Sequence, residues 1–214
     1  LDEVKIDGNT VVCGAGASLR AVCIAAQKAS LTGLEFAYGI PGTVGGALYM
    51  NAGAYGGEMS QVVATATAID FEGNETTLSL SDMQLGYRTS VFKSNGLIIT
   101  SVTLSLKQGD ANCIKAAMDD FFGRRRDKQP LEYPSAGSVF KRPEGYFAGA
   151  LIQDSGLKGY TVGGAQVSEK HAGFVINKGG ATAADVITLI GDVQRIVKEK
   201  FGVMLETEVK IVGE

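Results

Sequence analysis

The segment 39–57 restricts the folds open to this chain more than any other, because it is rich in glycine without being simple in composition. Pro41 and Gly42 signal a turn, and Gly45 and Gly46 permit a positive φ or the close approach of another group. The apolar residues between them make a solvated linker a poor description. An ordered glycine loop offers backbone N–H groups to anionic oxygens and leaves no side chains in the way of a flat ring, so a phosphate-bearing cofactor is a natural occupant. A set of tight turns between strands fits the same residues.

With 214 residues, the chain can bury the core of one large domain or two modest ones. A formal net charge of −3 gives no broad attraction for nucleic acid or anionic lipid. No apolar run approaches the roughly 20 residues that span a bilayer, and no basic-then-apolar signal opens the chain. The expectation is a soluble, cytoplasmic protein with neither nucleic acid nor a membrane as partner. Cys13, Cys23 and Cys113 are odd in number, widely spaced and set among apolar neighbours, which describes reduced structural thiols. His171, the only histidine, has no Cys, Asp or Glu at ligand spacing, so no metal site is expected and the ring is read as structural or as a substrate-domain contact.

Along the chain, 10–13 reads as a strand and Gly14-Ala15-Gly16-Ala17 as a turn, with Ser18 capping a helix marked by Leu19, Val22, Cys23 and Ala26. This imitates a dinucleotide fingerprint, yet Leu19 stands where the third glycine belongs and Glu35 does not clearly end a second strand, so a Rossmann unit is disfavoured. Alternation over 62–71, a turn at 72–74 and a β-rich run over 97–106 make the first half α+β. Ile114, Ala117, Met118, Phe121 and Phe122 mark a helix ending in Arg124-Arg125-Arg126-Asp127-Lys128, a basic cluster best read as a solvated face interacting with the helix dipole. Thr182 with Asp185 forms a capping box, and a long amphipathic helix follows up to Gly202. Period-two alternation at Leu205, Thr207, Val209 and Ile211 predicts a closing strand. The polar segment 107–112 is the expected domain boundary, dividing the chain into 1–108, 109–202 and a closing strand over 203–214.

Taken together, the glycine loop, the run from Gly86 to Lys93 (Gly-Tyr-Arg-Thr-Ser-Val-Phe-Lys), and the segments 133–143, 151–159, 166–177 and 205–209 resemble the UDP-N-acetylenolpyruvoylglucosamine reductase family, also called UDP-N-acetylmuramate dehydrogenase. The resemblance covers nearly the whole chain. It implies part of a vanillyl-alcohol-oxidase-type FAD-binding domain plus an α+β substrate-binding domain. It also implies reduction of the enolpyruvyl ether of a UDP-sugar with FAD and NADPH, in peptidoglycan precursor synthesis. Family members carry an N-terminal subdomain whose glycine-serine-asparagine loop holds the FAD pyrophosphate. The expectation is that this chain, opening at Leu1, lacks that part and belongs to the shorter branch of the family. A UDP-sugar-binding fragment without turnover and another FAD oxidoreductase of the same fold are the alternatives.

The resemblance carries residue roles with it. Gly39, Ile40, Pro41, Gly42, Thr43, Gly45, Gly46, Asn51, Ala52 and Gly53 are expected to bind FAD, with Asn51 and Ala52 near the ring. Tyr87, Lys141 and Asn177 are expected to contact substrate. Arg88, Ser138 and Glu208 are expected to be catalytic, and the chemistry agrees with those residue types. Hydride delivery to a vinyl ether leaves negative charge on the carbon beside a carboxylate, which an always-protonated guanidinium fork can meet. The same carbon then needs a proton, which the Ser138 hydroxyl can donate if the site is dry and a cation such as Lys141, or a water chain, stabilises the alkoxide. Glu208 helps only as a neutral acid or through a partner that is one. One cleft used in turn by NADPH and substrate implies ping-pong kinetics.

Overall fold

The alternating segments of the first half become antiparallel strands. In this computed structural model, which describes residues 1–213, the chain divides into two units, Leu1–Arg125 and Arg126–Glu214. The first unit runs β1 (Val4–Asp7), β2 (Thr10–Gly14), α1 (Leu19–Lys28), β3 (Leu31–Thr32), α2 (Val44–Tyr49), β4 (Gly53–Ala54), β5 (Gly57–Glu58), β6 (Val63–Ile69), β7 (Glu75–Ser79), β8 (Ile98–Ser105), β9 (Lys107–Gln108) and α3 (Ala111–Lys128). Its main sheet has the order β1-β2-β8-β6-β7, and every pair is antiparallel. Register sets Val11 opposite Leu104, Cys13 opposite Val102, and Ala66 opposite both Val102 and Leu78, so these buried side chains share one face. Val12, Thr65, Thr67 and Thr103 take the other. Leu19, Val22, Cys23 and Ala26 of α1 join the same core. Burial pushes the Cys13 thiol up to about 11 and the Cys23 thiol up to about 12, so both remain inert thiols.

Four expectations need correction here. Ser18 stands at the N-cap of α1 but its side chain makes no cap bond; its backbone pairs with Thr43 instead. The boundary does not fall at 107–112, because Lys107 and Gln108 pair with Thr32 and Leu31, and the α3 that follows buries Ile114 and Met118 in the first core. Polar composition there marks a surface turn, and the division falls in the last turn of α3. Cys113 is exposed beside Asp110, whose carboxylate accepts N–H bonds from Asn112 (3.0 Å) and Cys113 (2.9 Å) to start the helix. The basic cluster is split: Arg124 and Arg126 pair with Asp120 and Asp127 at the surface, but Arg125 is 6% exposed with its guanidinium 5.7 Å from the Tyr55 ring centroid.

The second unit runs β10 (Ser135–Ser138), α4 (Ala148–Asp154), β11 (Thr161–Val162), β12 (Ala165–Val167), β13 (Phe174–Asn177) and α5 (Ala183–Phe201). Its antiparallel sheet has the order β10-β13-β12-β11. The capping box closes as the sequence predicts: Thr182 Oγ1 accepts from the Asp185 N–H at 3.1 Å and the Asp185 carboxylate accepts from the Thr182 N–H at 2.9 Å, a device worth roughly 1 kcal/mol. Gly202 ends α5 at φ 71°, a left-handed turn that a β-carbon disfavours. Leu189, Ile190, Val193 and Val197 pack with Leu151, Ile152, Ala165 and Val167 as a second core. Among the described residues, the segment 203–213 forms no strand ladder. It makes one bridge, Phe140 with Thr207, flanked by Lys141 N–H to Glu206 O (2.9 Å) and Glu208 N–H to Val139 O (2.7 Å). The alternation was real, since Leu205 and Val209 pack into the second core, but it reports which side is buried and not how many strands pair.

Candidate functional site

The glycine loop folds because it is zipped onto the β2–α1 turn. Leu19 N–H bonds Gly42 O (3.1 Å), Val44 N–H bonds Ala17 O (2.9 Å) and Gly45 N–H bonds Ala15 O (2.9 Å). Gly45 is required by this approach, since a β-carbon there would lie 2.8 Å from Ala15 Cβ. Thr43 caps α2, its side chain accepting from the Gly46 N–H at 3.3 Å. Beside the zipper lies a cleft of about 450 Å³ with a floor of Ala15, Gly16, Gly45 and Gly46, flanked by Thr43 and Tyr49, and an apolar wall of Leu97, Ile98 and Ile99. A floor without bulky side chains facing an aliphatic wall accepts a flat aromatic ring, and the size is that of an ordinary ligand pocket. These residues fit the flavin expected from the sequence.

Of the ten residues assigned to FAD, Thr43, Gly45 and Gly46 line this cleft, and Pro41 and Gly42 are exposed in the same loop. Ile40 packs against the first core, and Gly39, at φ 87°, faces Phe122 and Arg125 of α3. Ala52 is buried, Gly53 gives its carbonyl to Arg88, and Asn51 is fully buried with both ends of its amide bonded within the protein. The Asn51 side-chain amide is thus engaged within the protein, and a contact to the ring falls to its backbone. Ala15, Gly16 and the 97–99 wall were not assigned. Their signal in the sequence is the glycine-containing turn 14–17, which has the look of an incomplete dinucleotide fingerprint. Gly46→Ala checks the cleft: the added methyl meets only Thr43 Oγ1, at 3.4 Å, so stability should hold or rise by about 0.5–1 kcal/mol while FAD affinity falls. Thermal melting with FAD titration reads both, and unchanged FAD affinity would remove this cleft from consideration.

The Arg88 turn is strapped to the same loop. Gly86 and Thr89 exchange backbone bonds (3.1 and 3.2 Å) around Tyr87 and Arg88, and Arg88 sits at φ 54°. A non-glycine residue held there costs of order 1–3 kcal/mol, and such positions concentrate at functional sites. Arg88 Nη2 donates to Gly53 O at 3.0 Å, its guanidinium carbon is 5.4 Å from the centroid of the exposed Tyr87 ring, and the Lys93 ammonium donates to its carbonyl. Buried Ser90 donates to Tyr49 O at 2.5 Å. Tyr87, Arg88 and the loop thus form one neighbourhood in the first unit.

In the second unit, Ser138 ends β10 behind Gly137 (φ 85°), where the β10–β13 register shifts between Ser135 and Ser138. Such irregularities re-aim side chains. Ser138 is exposed, and its hydroxyl donates to Phe140 O over a long 3.4 Å. Lys141 is half-buried, and its ammonium pairs with the exposed Glu206 carboxylate. Glu208 is half-buried and tied through its N–H to Val139, the residue after Ser138. Ser138, Lys141 and Glu208 therefore share one strand edge. Asn177 is engaged differently, its Oδ1 accepting from the N–H groups of Gly179 (2.8 Å) and Ala181 (3.2 Å) to hold a turn. His171 Nδ1 accepts from the Gly173 N–H at 3.1 Å, its ring stands edge-on to Phe174, and burial holds its pKa below the usual imidazole range. These contacts hold the ring in the fold of the second unit. Among the described residues no cluster of His, Cys, Asp or Glu is arranged to hold a metal ion, and no helix is long and apolar enough to cross a membrane.

Two family models match the chain, an FAD binding domain over residues 1–79 and a UDP-N-acetylenolpyruvoylglucosamine reductase C-terminal domain over residues 129–212. Among curated relatives, UDP-N-acetylenolpyruvoylglucosamine reductase of Clostridium novyi is 56% identical over 214 residues, and that of Clostridium perfringens is 55% identical over 213 residues. Each alignment spans 100% of this chain and 70% of the relative. The crystal structure of UDP-N-acetylenolpyruvylglucosamine reductase from Thermus caldophilus superposes with a TM-score of 0.82 at 37% identity, over 93% of this chain and 71% of that one.

Proposed function

Because the chain belongs to the UDP-N-acetylenolpyruvoylglucosamine reductase family, we propose that Arg88, Ser138 and Glu208 carry its chemistry, and that Tyr87 and Lys141 help to hold its UDP-sugar substrate in the cytoplasm. The protein is an FAD- and NADPH-dependent oxidoreductase that reduces the enolpyruvyl ether of UDP-N-acetylglucosamine enolpyruvate to UDP-N-acetylmuramate, a step of peptidoglycan precursor synthesis. FAD, when bound, would supply the hydride-transfer chemistry between NADPH and the vinyl ether. Thr43, Gly45, Gly46 and the 97–99 wall are the residues that would hold its ring system.

The chain's own residues answer the charge this creates. Negative charge on the carbon beside the carboxylate spreads into that carboxylate, and the Arg88 fork meets both oxygens with two parallel N–H bonds. Strapping of the Arg88 turn is the observation that supports this reading, since a pre-oriented donor needs no reorganisation as charge develops. Ser138 donates the proton that completes reduction. Glu206 pairs with Lys141, and Glu208 acts as a neutral acid donating toward the developing oxyanion. The test is direct: purified protein with FAD, NADPH and UDP-N-acetylglucosamine enolpyruvate should yield, by mass spectrometry, a product heavier by two hydrogens. Substrate binding without that product would leave only a UDP-sugar-binding protein. For Glu208, the Glu208→Gln protein should keep turnover within a few-fold of the parent, because an amide also donates; an inactive variant would count against donation by a neutral acid.

A further inference from the structure

We propose that Asn51 is a positioning residue for Arg88, fixing the orientation of the guanidinium that receives the substrate carboxylate by bracing the turn in which Arg88 sits against the glycine loop. The proposal rests on the reading of Arg88 given above. Asn51 has no exposed surface, and it lies at the end of α2 in a left-handed conformation, φ 45°. Asparagine tolerates that backbone better than most residues, because its short amide bonds locally. Here the amide bonds at long range instead. Nδ2 donates to the carbonyl of Gly86 at 3.0 Å, thirty-five positions along the chain, and Oδ1 accepts from the N–H of Ser60 at 2.9 Å.

Those two bonds have a common effect. Gly86 opens the four-residue turn whose reciprocal backbone bonds enclose Arg88, so its carbonyl is the point from which the direction of the Arg88 side chain is set. Ser60 follows the β4–β5 hairpin, which begins at Gly53, the residue whose carbonyl receives Arg88 Nη2. One buried amide therefore references both ends of the guanidinium's support, its backbone turn and its carbonyl rest. Arg88 and Asn51 are two of only five non-glycine residues with positive φ among the described residues, the others being Ser30, Tyr55 and Gln84. Two strained residues bridged in this way hold one geometry, because neither turn can relax without breaking a buried bond. A merely structural asparagine would support stability without favouring one ligand over another. A positioning asparagine makes a narrower prediction, that its loss weakens recognition of the enolpyruvyl carboxylate and spares the rest of the nucleotide sugar.

The test compares two ligands on the oxidised, FAD-loaded protein by calorimetry: UDP-N-acetylglucosamine enolpyruvate, which has the carboxylate, and UDP-N-acetylglucosamine, which does not. Asn51→Asp keeps the shape and the acceptor toward Ser60 but removes the donor to Gly86. Asn51→Gly suits the same φ, adds no charge, and serves if the aspartate variant fails to fold. Each should lose about tenfold or more in preference for the enolpyruvyl ligand, with affinity for UDP-N-acetylglucosamine nearly unchanged and kcat/KM down by about 10²-fold, the scale of a misplaced catalytic group. An unchanged preference, or an equal loss for both ligands, would overturn the proposal. Arg88→Lys run in parallel separates the two layers: if it too leaves the preference intact, the carboxylate role of Arg88 fails and the positioning role with it, whereas a preference lost in Arg88→Lys and kept in both Asn51 variants refutes Asn51 alone.

Discussion

Arg88→Lys should lower kcat/KM for the enolpyruvyl substrate by roughly 10²–10³-fold while NADPH still reduces the bound flavin at close to the parent rate. Lysine keeps the positive charge, so simple attraction of an anionic substrate survives. What is lost is the planar fork that meets two carboxylate oxygens at once, together with the donor to Gly53 O that holds the group in place. The backbone at φ 54° is no harder for lysine than for arginine, and the Gly86–Thr89 turn and the Lys93 ammonium on the residue-88 carbonyl remain to enforce it, so the loss reports the side chain. Rapid-mixing spectroscopy separates the half-reactions. Equal slowing of both would mean that the substitution damages the cleft in general, and the assignment of Arg88 to charge stabilisation would fall.

The second large effect is expected at Ser138. Ser138→Ala should depress product formation by about 10²–10⁴-fold, the range associated with a positioned proton donor, and should leave flavin reduction by NADPH intact. Little stability is at stake, because the hydroxyl is exposed and its bond to Phe140 O is long at 3.4 Å. A weakly held hydroxyl is also free to exchange that partner for substrate. The neighbouring cation is less available than the sequence implied, since Lys141 is paired with Glu206. Freeing the ammonium, or relaying the proton through water, then becomes part of the step. Wild-type product formation by Ser138→Ala would take the serine out of the mechanism.

Much of the fold was legible because the signals were local. The capping box at Thr182 and Asp185, the apolar face from Val186 to Val197 and the stop at Gly202 all concern residues within a few positions of one another, and all appear as read. Strands β6 and β8 were legible because one face is buried, so alternation had to be written into them. The misreadings share a cause, which is a partner distant in sequence. Arg125 looks like one of a solvated run until Tyr55 arrives beneath it, and segment 107–112 looks like a linker until Leu31 and Thr32 pair with it. In the site, glycines and the Arg88 motif could be named from the chain, but the use of Asn51 could not. An asparagine in a glycine loop suggests a ligand contact, and only the positions of Gly86 and Ser60 show that its amide is already satisfied. Likewise the turn 14–17 reads as a failed fingerprint in sequence, whereas in the fold its Ala15 and Gly16 line the cleft.

The most direct measurement is a single turnover in two stages. The FAD-loaded protein is reduced anaerobically with one equivalent of NADPH, freed of nicotinamide, and mixed with UDP-N-acetylglucosamine enolpyruvate while the visible absorbance of the flavin is followed. Electron flow from NADPH through this protein to the vinyl ether predicts that the oxidised flavin returns and that one UDP-N-acetylmuramate appears for each flavin reoxidised. A flavin that stays reduced while the substrate binds would contradict it.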